Sequence, residues 1–223
     1  MRSAMIVVGL LAAVAGGCRT GESRATESDG RGMTASAVRG NAAPGETTRG
    51  LRVGDEVPDA TLSTSGQRLY QLDDIIGGRP TVLIFYRGGW CPFCAGDLKD
   101  WQEHIEEVRD LGAQVIAITP ESPERALGTA TKNELGFTVL SDVRGEAARA
   151  FDLGFTLDEA TQKKYKGYGI DLAESNALKN WDLVIPATYV VDSDGVIRYA
   201  YVNEDYKHRA AATEVIEALR AVE

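Results

Sequence analysis

Two cysteines with two residues between them, Cys91-Pro92-Phe93-Cys94, follow directly on Phe85-Tyr86-Arg87-Gly88-Gly89-Trp90. A buried apolar run hands over to a helix at this point. A thiol in the first turn of a helix faces unpaired backbone N–H groups and the positive end of the helix dipole, and both favour the thiolate. Cys91 is therefore read as the nucleophile. Cys94 lies one turn further on, beside Leu98 on the apolar face, so it is expected to be the more buried thiol and is placed to attack an oxidised Cys91. Two competing readings stand beside this redox pair: a structural zinc knuckle, and inert buried thiols. Zinc requires ligands beyond one cysteine pair, and His104 and His208 are the only histidines in the chain, with no second cysteine pair to join them.

The elements that must hold this pair are legible from periodicity. Thr81–Tyr86 is a continuous apolar and β-branched run, expected to be a strand buried on both faces. Cys94, Leu98, Trp101, Ile105 and Val108 fall on one face of a helix expected from about Pro92 to Leu111, with Gly112 ending it. Gln114–Thr119 reads as a second buried strand, and Ser122 and Pro123 as the cap and first residue of a helix to about Leu135. A strand at Phe137–Leu140 and a short helix at Gly145–Phe151 follow. Strands at Thr188–Val191 and Val196–Val202 are joined by the turn Asp192-Ser193-Asp194-Gly195. Val215, Ile216, Leu219 and Val222 mark a closing helix, while Leu153–Ile185 reads as an insertion or long loop. The order predicts an α/β fold with a central mixed sheet flanked by helices.

The whole chain has 223 residues, 43% hydrophobic and 26% charged, which excludes collagen-like, coiled-coil and wholly disordered classes. Its net charge of -9 and scattered basic residues argue against nucleic-acid binding, which needs a clustered cationic surface. The third cysteine, Cys18, stands apart. It follows a basic start, an apolar run from Ala4 to Val14 and Ala15-Gly16-Gly17, the parts of an export signal. The cysteine after these small residues resembles a bacterial lipobox, which implies cleavage before Cys18 and its acylation; an ordinary cleaved signal or an uncleaved anchor is the alternative. The expected organisation is a signal peptide at 1–17, a lipidated Cys18 with a flexible linker over 18–50, and a folded domain over 51–223, giving an exported, membrane-anchored lipoprotein of a bacterial cell envelope.

Three segments carry a wider resemblance. These are the strand leading into Trp90-Cys91-Pro92-Phe93-Cys94, the opening Leu51-Arg52-Val53-Gly54-Asp55-Glu56-Val57-Pro58-Asp59, and Ile185-Pro186-Ala187-Thr188-Tyr189-Val190-Val191-Asp192-Ser193-Asp194-Gly195-Val196-Ile197-Arg198. Over most of 51–223 the chain resembles the thioredoxin-fold proteins of the alkyl hydroperoxide reductase and thiol-specific antioxidant family, the peroxiredoxins, and in particular an atypical subgroup with a CxxC site. The resemblance implies a thioredoxin-like fold, a cis Ile185-Pro186 bond beside the active sulfurs, and support of the site by Trp90, Pro92 and Pro186. Two departures stand out. Peroxiredoxins place a proline seven residues and a hydroxyl three residues before the reactive cysteine, where this chain has Ile84 and Gly88. They also carry an arginine where this chain has Pro186, which leaves Arg87 as the substitute cation for the thiolate and a peroxide oxygen.

What the resemblance implies for function is a thiol peroxidase acting on hydrogen peroxide or an alkyl hydroperoxide. Cys91 becomes a sulfenic acid, Cys94 condenses with it to a disulfide, and an external thioredoxin-like dithiol resets the pair. No metal, flavin or haem cofactor is required. The alternative keeps the same residues and changes the substrate: a membrane-tethered thiol-disulfide oxidoreductase acting on protein disulfides. A third reading is a non-enzymatic binding domain whose cysteines serve as a redox-sensitive staple.

Overall fold

A computed structural model describes residues 48–66 and 68–222. The signal segment 1–17, Cys18 and most of the 18–50 linker lie outside the described residues. In chain order the elements are β1 (Thr61–Ser63), β2 (Leu69–Gln71), α1 (Leu72–Ile76), β3 (Thr81–Phe85), α2 (Pro92–Glu103), α3 (Ile105–Asp110), β4 (Gln114–Thr119), α4 (Pro123–Lys132) and β5 (Thr138–Ser141). They continue with α5 (Glu146–Ala150), β6 (Gly154–Thr156), α6 (Glu159–Gly167), α7 (Leu172–Ser175), β7 (Asp182–Val184), β8 (Ala187–Val191), β9 (Ile197–Val202) and α8 (Ala212–Arg220).

β3 is the strand on which the architecture turns. All five of its residues are buried, as its unbroken apolar sequence requires of a strand covered on both faces. It pairs in parallel with β4 and antiparallel with β8, inside a seven-stranded sheet of order β2-β1-β5-β4-β3-β8-β9. Successive side chains enter opposite cores. Val82, Ile84 and Tyr86 pack with Leu98, Trp101, Val108, Val215 and Ile216 under α2, α3 and α8, whereas Leu83 and Phe85 pack with Leu72, Ile76 and Phe151 under α1 and α5. Each such full burial stabilises the fold by about 1.5–3 kcal/mol. The fold is thus the expected thioredoxin-like α/β sandwich with a mixed sheet, and the end of β3 delivers the chain to the cysteines from a rigid centre.

The structure corrects three local expectations. The helix read from Pro92 to Leu111 is broken at His104 into α2 and α3. The His104 ring meets the Asp100 carbonyl through Nδ1 at 2.8 Å, while its own N–H turns to the Trp101 carbonyl at 3.2 Å, so a side chain replaces one rung of the helix ladder. Cys94, Leu98, Trp101, Ile105 and Val108 are buried all the same, because the break preserves their common face. The helix capped by Ser122 ends at Lys132 rather than Leu135, with Glu134 in the left-handed region at φ 52 turning the chain.

The segment Leu153–Ile185, read as an insertion or long loop, is ordered structure. β6 and β7 form a separate antiparallel pair around α6 and α7. Asp158 and Asp171 cap the two helices through their side chains, signals that short polar helices with no buried residue in α6 leave unsupported by periodicity. The segment docks through backbone pairs: Ser122 N–H donates to the Ser175 carbonyl at 2.8 Å, and Ala177 N–H to the Pro120 carbonyl at 3.0 Å.

Candidate active site

The backbone of Cys91 is extended (φ -89, ψ 117), so it stands as the residue just outside α2, with Pro92 at the first helical position where a missing N–H costs nothing. Cys91 N–H closes a turn onto the Gly88 carbonyl at 3.1 Å, and the Cys91 carbonyl accepts the Ala95 N–H at 3.0 Å. The sulfur is thereby held over the start of the helix. Both cysteines are free thiols and both are buried, Cys91 being 1% and Cys94 0% exposed, so the expected difference in burial is small. Their acidities differ strongly. The Cys91 thiol is lowered from the ordinary value near 9 to about 6: the Cys94 S–H donates to its sulfur, and the Cys94 N–H, the Arg87 guanidinium and the Phe93 N–H add to this against the cost of burial. Cys94 is held well above the ordinary thiol range, first by that same hydrogen bond to Cys91 and then by desolvation. At neutral pH the pair is a Cys91 thiolate beside a Cys94 thiol.

Arg87 is 3% exposed and enclosed by aromatic rings. Its guanidinium carbon lies 4.1 Å from the centroid of Tyr206, 5.2 Å from Trp90 and 5.9 Å from Tyr165, and Nη2 donates to the Tyr165 hydroxyl. These distances are within the range in which ring faces attract a cation. Arg87 Nε and Trp90 Nε1 are buried N–H donors with no partner among the described residues. Two unsatisfied donors on the residues leading into a buried thiolate are costly unless something else accepts from them. Beneath them the buried Glu121 carboxylate accepts the Gly89 N–H at 2.8 Å and pins the loop. Burial pushes the Glu121 carboxyl up.

The register sets Ala187 opposite Phe85, which puts the buried Pro186 at the end of the sheet from which the cysteine loop leaves. Pro92 and Phe93 are exposed, and Phe93 meets the Tyr206 ring edge-on at 5.7 Å. His104 is engaged with Asp100, and His208 Nδ1 lies 3.2 Å from Asp205. No cluster of three or more His, Cys, Asp or Glu side chains suited to a metal occurs among the described residues. Four contributors escaped the sequence reading: Tyr165, Tyr206, Glu121, and Arg209, whose Nη2 donates to Cys94 Sγ. Glu121 alone carried a usable signal, since it follows a buried parallel strand, where site residues of α/β sheets collect.

With this geometry in hand, known proteins supply the family. The AhpC/TSA family model matches residues 53–200. The chain belongs to the AhpC/TSA family. It is 25% identical over 173 residues to alkyl hydroperoxide reductase E of Mycobacterium tuberculosis, covering 77% of this chain and 99% of that one. It is 28% identical over 148 residues to peroxiredoxin Bcp of Bacillus subtilis, covering 64% and 92%. Among solved structures, peroxidoxin BcpB of Mycobacterium tuberculosis superposes with a TM-score of 0.62 at 21% identity, over 78% of this chain and 99% of that chain, which is a likeness of fold.

Two departures of this AhpC/TSA chain from the usual pattern have local physical reasons. Gly88, in place of the hydroxyl residue, has φ +149, and a Cβ there would lie 2.3 Å from Trp90 Nε1 and 2.9 Å from the Glu121 carboxyl carbon. The indole occupies the space a side chain would need. Ile84, in place of the proline, completes the ladder of β3, pairing with Ala117 on one side and Thr188 on the other. Gly88→Ala is therefore expected to destabilise the protein by about 2 kcal/mol through strain and overpacking and to displace the Trp90 indole. A denaturant titration together with the Trp emission maximum checks this; unchanged midpoint and emission would contradict the packing described.

Proposed function

We propose that this protein is a thiol peroxidase that reduces hydrogen peroxide or an alkyl hydroperoxide. The observation that carries the reading is a buried, acidified Cys91 preceded in the chain by Arg87 and Trp90, whose buried Nε–H and Nε1–H have no partner among the described residues. A peroxide brings two oxygens, so one can receive the sulfur's electron pair while the other takes these hydrogen bonds as negative charge develops on it. The Cys91 thiolate attacks one peroxide oxygen, the O–O bond breaks, the distal oxygen leaves as hydroxide or alkoxide and takes a proton from solvent to become water or an alcohol, and Cys91 carries a sulfenic acid. Cys94 then displaces that hydroxyl and the Cys91–Cys94 disulfide forms. An external dithiol of thioredoxin type restores both thiols. Since Cys91 is 1% exposed in the dithiol state, this last exchange requires a local opening at the first turn of α2. The same burial favours a small peroxide over a protein disulfide as the oxidant.

The direct test is a sulfenic-acid trap. After one equivalent of peroxide, the Cys94→Ser protein is expected to carry a dimedone adduct on Cys91. A mixed disulfide formed with a protein disulfide, with no adduct from peroxide, would instead identify the thiol-disulfide oxidoreductase alternative.

We also propose that the chain is exported and acylated at Cys18, which would tether the folded domain to a membrane of the cell envelope. The support is the order of basic, apolar and small residues that ends at Cys18. Incorporation of a fatty-acid analogue is expected in the wild type and not in Cys18→Ala; label retained by the variant would remove this assignment.

A further inference from the structure

The stretch between β9 and α8 sends one arginine into the cysteine site. Arg209 lies far from Cys94 in sequence, at a separation of 115 residues, yet its Nη2 donates to Cys94 Sγ at 3.4 Å. Its Nε donates to Asp97 Oδ2 at 3.1 Å, and Nη1 donates to the carbonyls of Tyr206 and His208. The ion pair is largely out of water, with side-chain exposures of 14% for Arg209 and 3% for Asp97. Burying such a pair costs desolvation that packing alone would avoid. Here its positive end is aimed at a sulfur that must react.

The chemistry of the second step says what that sulfur lacks. In the dithiol state the Cys94 proton is held by the Cys91 thiolate. Once Cys91 is a sulfenic acid that acceptor is gone, and Cys94 is still a thiol, whereas the attacking species is the thiolate. Among the described residues, the titratable and charged groups facing Cys94 are Cys91 just before α2, Tyr86 and Arg87 just after β3, and Arg209, with Asp97 of α2 behind Arg209. Of these, Arg209 is the cation bonded to the sulfur itself.

Resting on the peroxidase reading, we propose that Arg209, anchored by Asp97, is the catalytic residue of disulfide formation, stabilising the Cys94 thiolate that attacks Cys91. In this step the Cys94 S–H bond is lost, the Cys91–Cys94 S–S bond forms and the Cys91 S–O bond breaks. The hydroxyl leaves with the Cys94 proton as water. The sulfenic sulfur is reduced as the Cys94 sulfur is oxidised, so no further oxidant enters.

The test follows the two steps separately in the reduced full chain by stopped-flow Trp fluorescence with excess peroxide. The first phase scales with peroxide concentration and reports Cys91 oxidation; the second is independent of it and reports the disulfide. Arg209→Gln, which keeps amide donors but no charge, and Arg209→Met are expected to slow the second phase about tenfold to a hundredfold, the scale of one charge-assisted hydrogen bond, with a much smaller change in the first. Arg209→Lys is expected to recover part of the rate. A second phase at the wild-type rate in Arg209→Gln overturns the proposal. A second measurement does not depend on peroxide: in the Cys91→Ser background, the pH midpoint for alkylation of Cys94 by iodoacetamide is expected to rise on Arg209→Gln. An unchanged midpoint overturns the role of Arg209. Absence of any peroxide-dependent first phase, with the midpoint shifted, sinks the peroxidase reading and leaves Arg209 as the group that tunes Cys94.

Discussion

Replacing Cys91 with serine is expected to lower kcat/KM for peroxide by roughly four orders of magnitude or more, the scale on which loss of a nucleophile is felt. The reason is chemical. A serine at the same point of the helix stays protonated at neutral pH, because the interactions that bring the Cys91 thiol to about 6 cannot bring an alcohol anywhere near that range. Cys94→Ser differs in kind: it should keep the first oxidation and lose turnover, because no second sulfur remains to displace the hydroxyl. A coupled assay with an external dithiol measures both. Comparable residual turnover in the two variants would mean that the cysteines do not divide the work as described.

Arg87→Met carries the second largest effect, and its signature is a pH profile. The thiolate is the reactive form, so the peroxide rate of the wild type should be half-maximal at about pH 6, level above it and falling below it. Arg87 is one of the groups that hold the thiol down, and it is buried, so solvent screens it little. Its loss should move the midpoint upward and cut the rate at pH 6 severalfold, because at the wild-type midpoint a rise of one pH unit takes the thiolate fraction down about fivefold. At pH 8 the loss should be smaller and reflect only the missing donor to the peroxide. An unmoved midpoint would remove Arg87 from the electrostatics of Cys91. Stability follows the same sign. A thiol near 9 in the unfolded chain and at about 6 in the folded one adds stability as pH rises from 6 to 9, and that contribution is gone below pH 6. The Tm advantage of wild type over Cys91→Ala should grow across that window.

What was readable in the sequence was local. β3, the start of α2 and the placing of Cys91 and Cys94 at its first turn follow from a contiguous run and a helix period, because strand burial and helix-end electrostatics act over a few residues. The walls of the site were not readable. Tyr165 reaches Arg87 across 78 residues from a segment with no apolar period, and Glu121 reaches Gly89 across 32 with its place after β4 as its one signal. A lone Tyr, Glu or Arg in a polar stretch looks the same whether it faces water or a buried sulfur. The break at His104 escaped for the opposite reason: the apolar face runs through it undisturbed, and only the ring's bond to a backbone carbonyl reveals it.

The most direct measurement is the second-order rate at which the reduced chain reacts with hydrogen peroxide at pH 7, followed by Trp fluorescence beside free cysteine under the same conditions. Ionisation alone should favour Cys91 over free cysteine, whose thiol titrates at about 8.5, by about thirtyfold. With Arg87 and Trp90 donating to the peroxide, the rate is predicted to exceed that factor. A rate no greater than that of free cysteine would contradict the account.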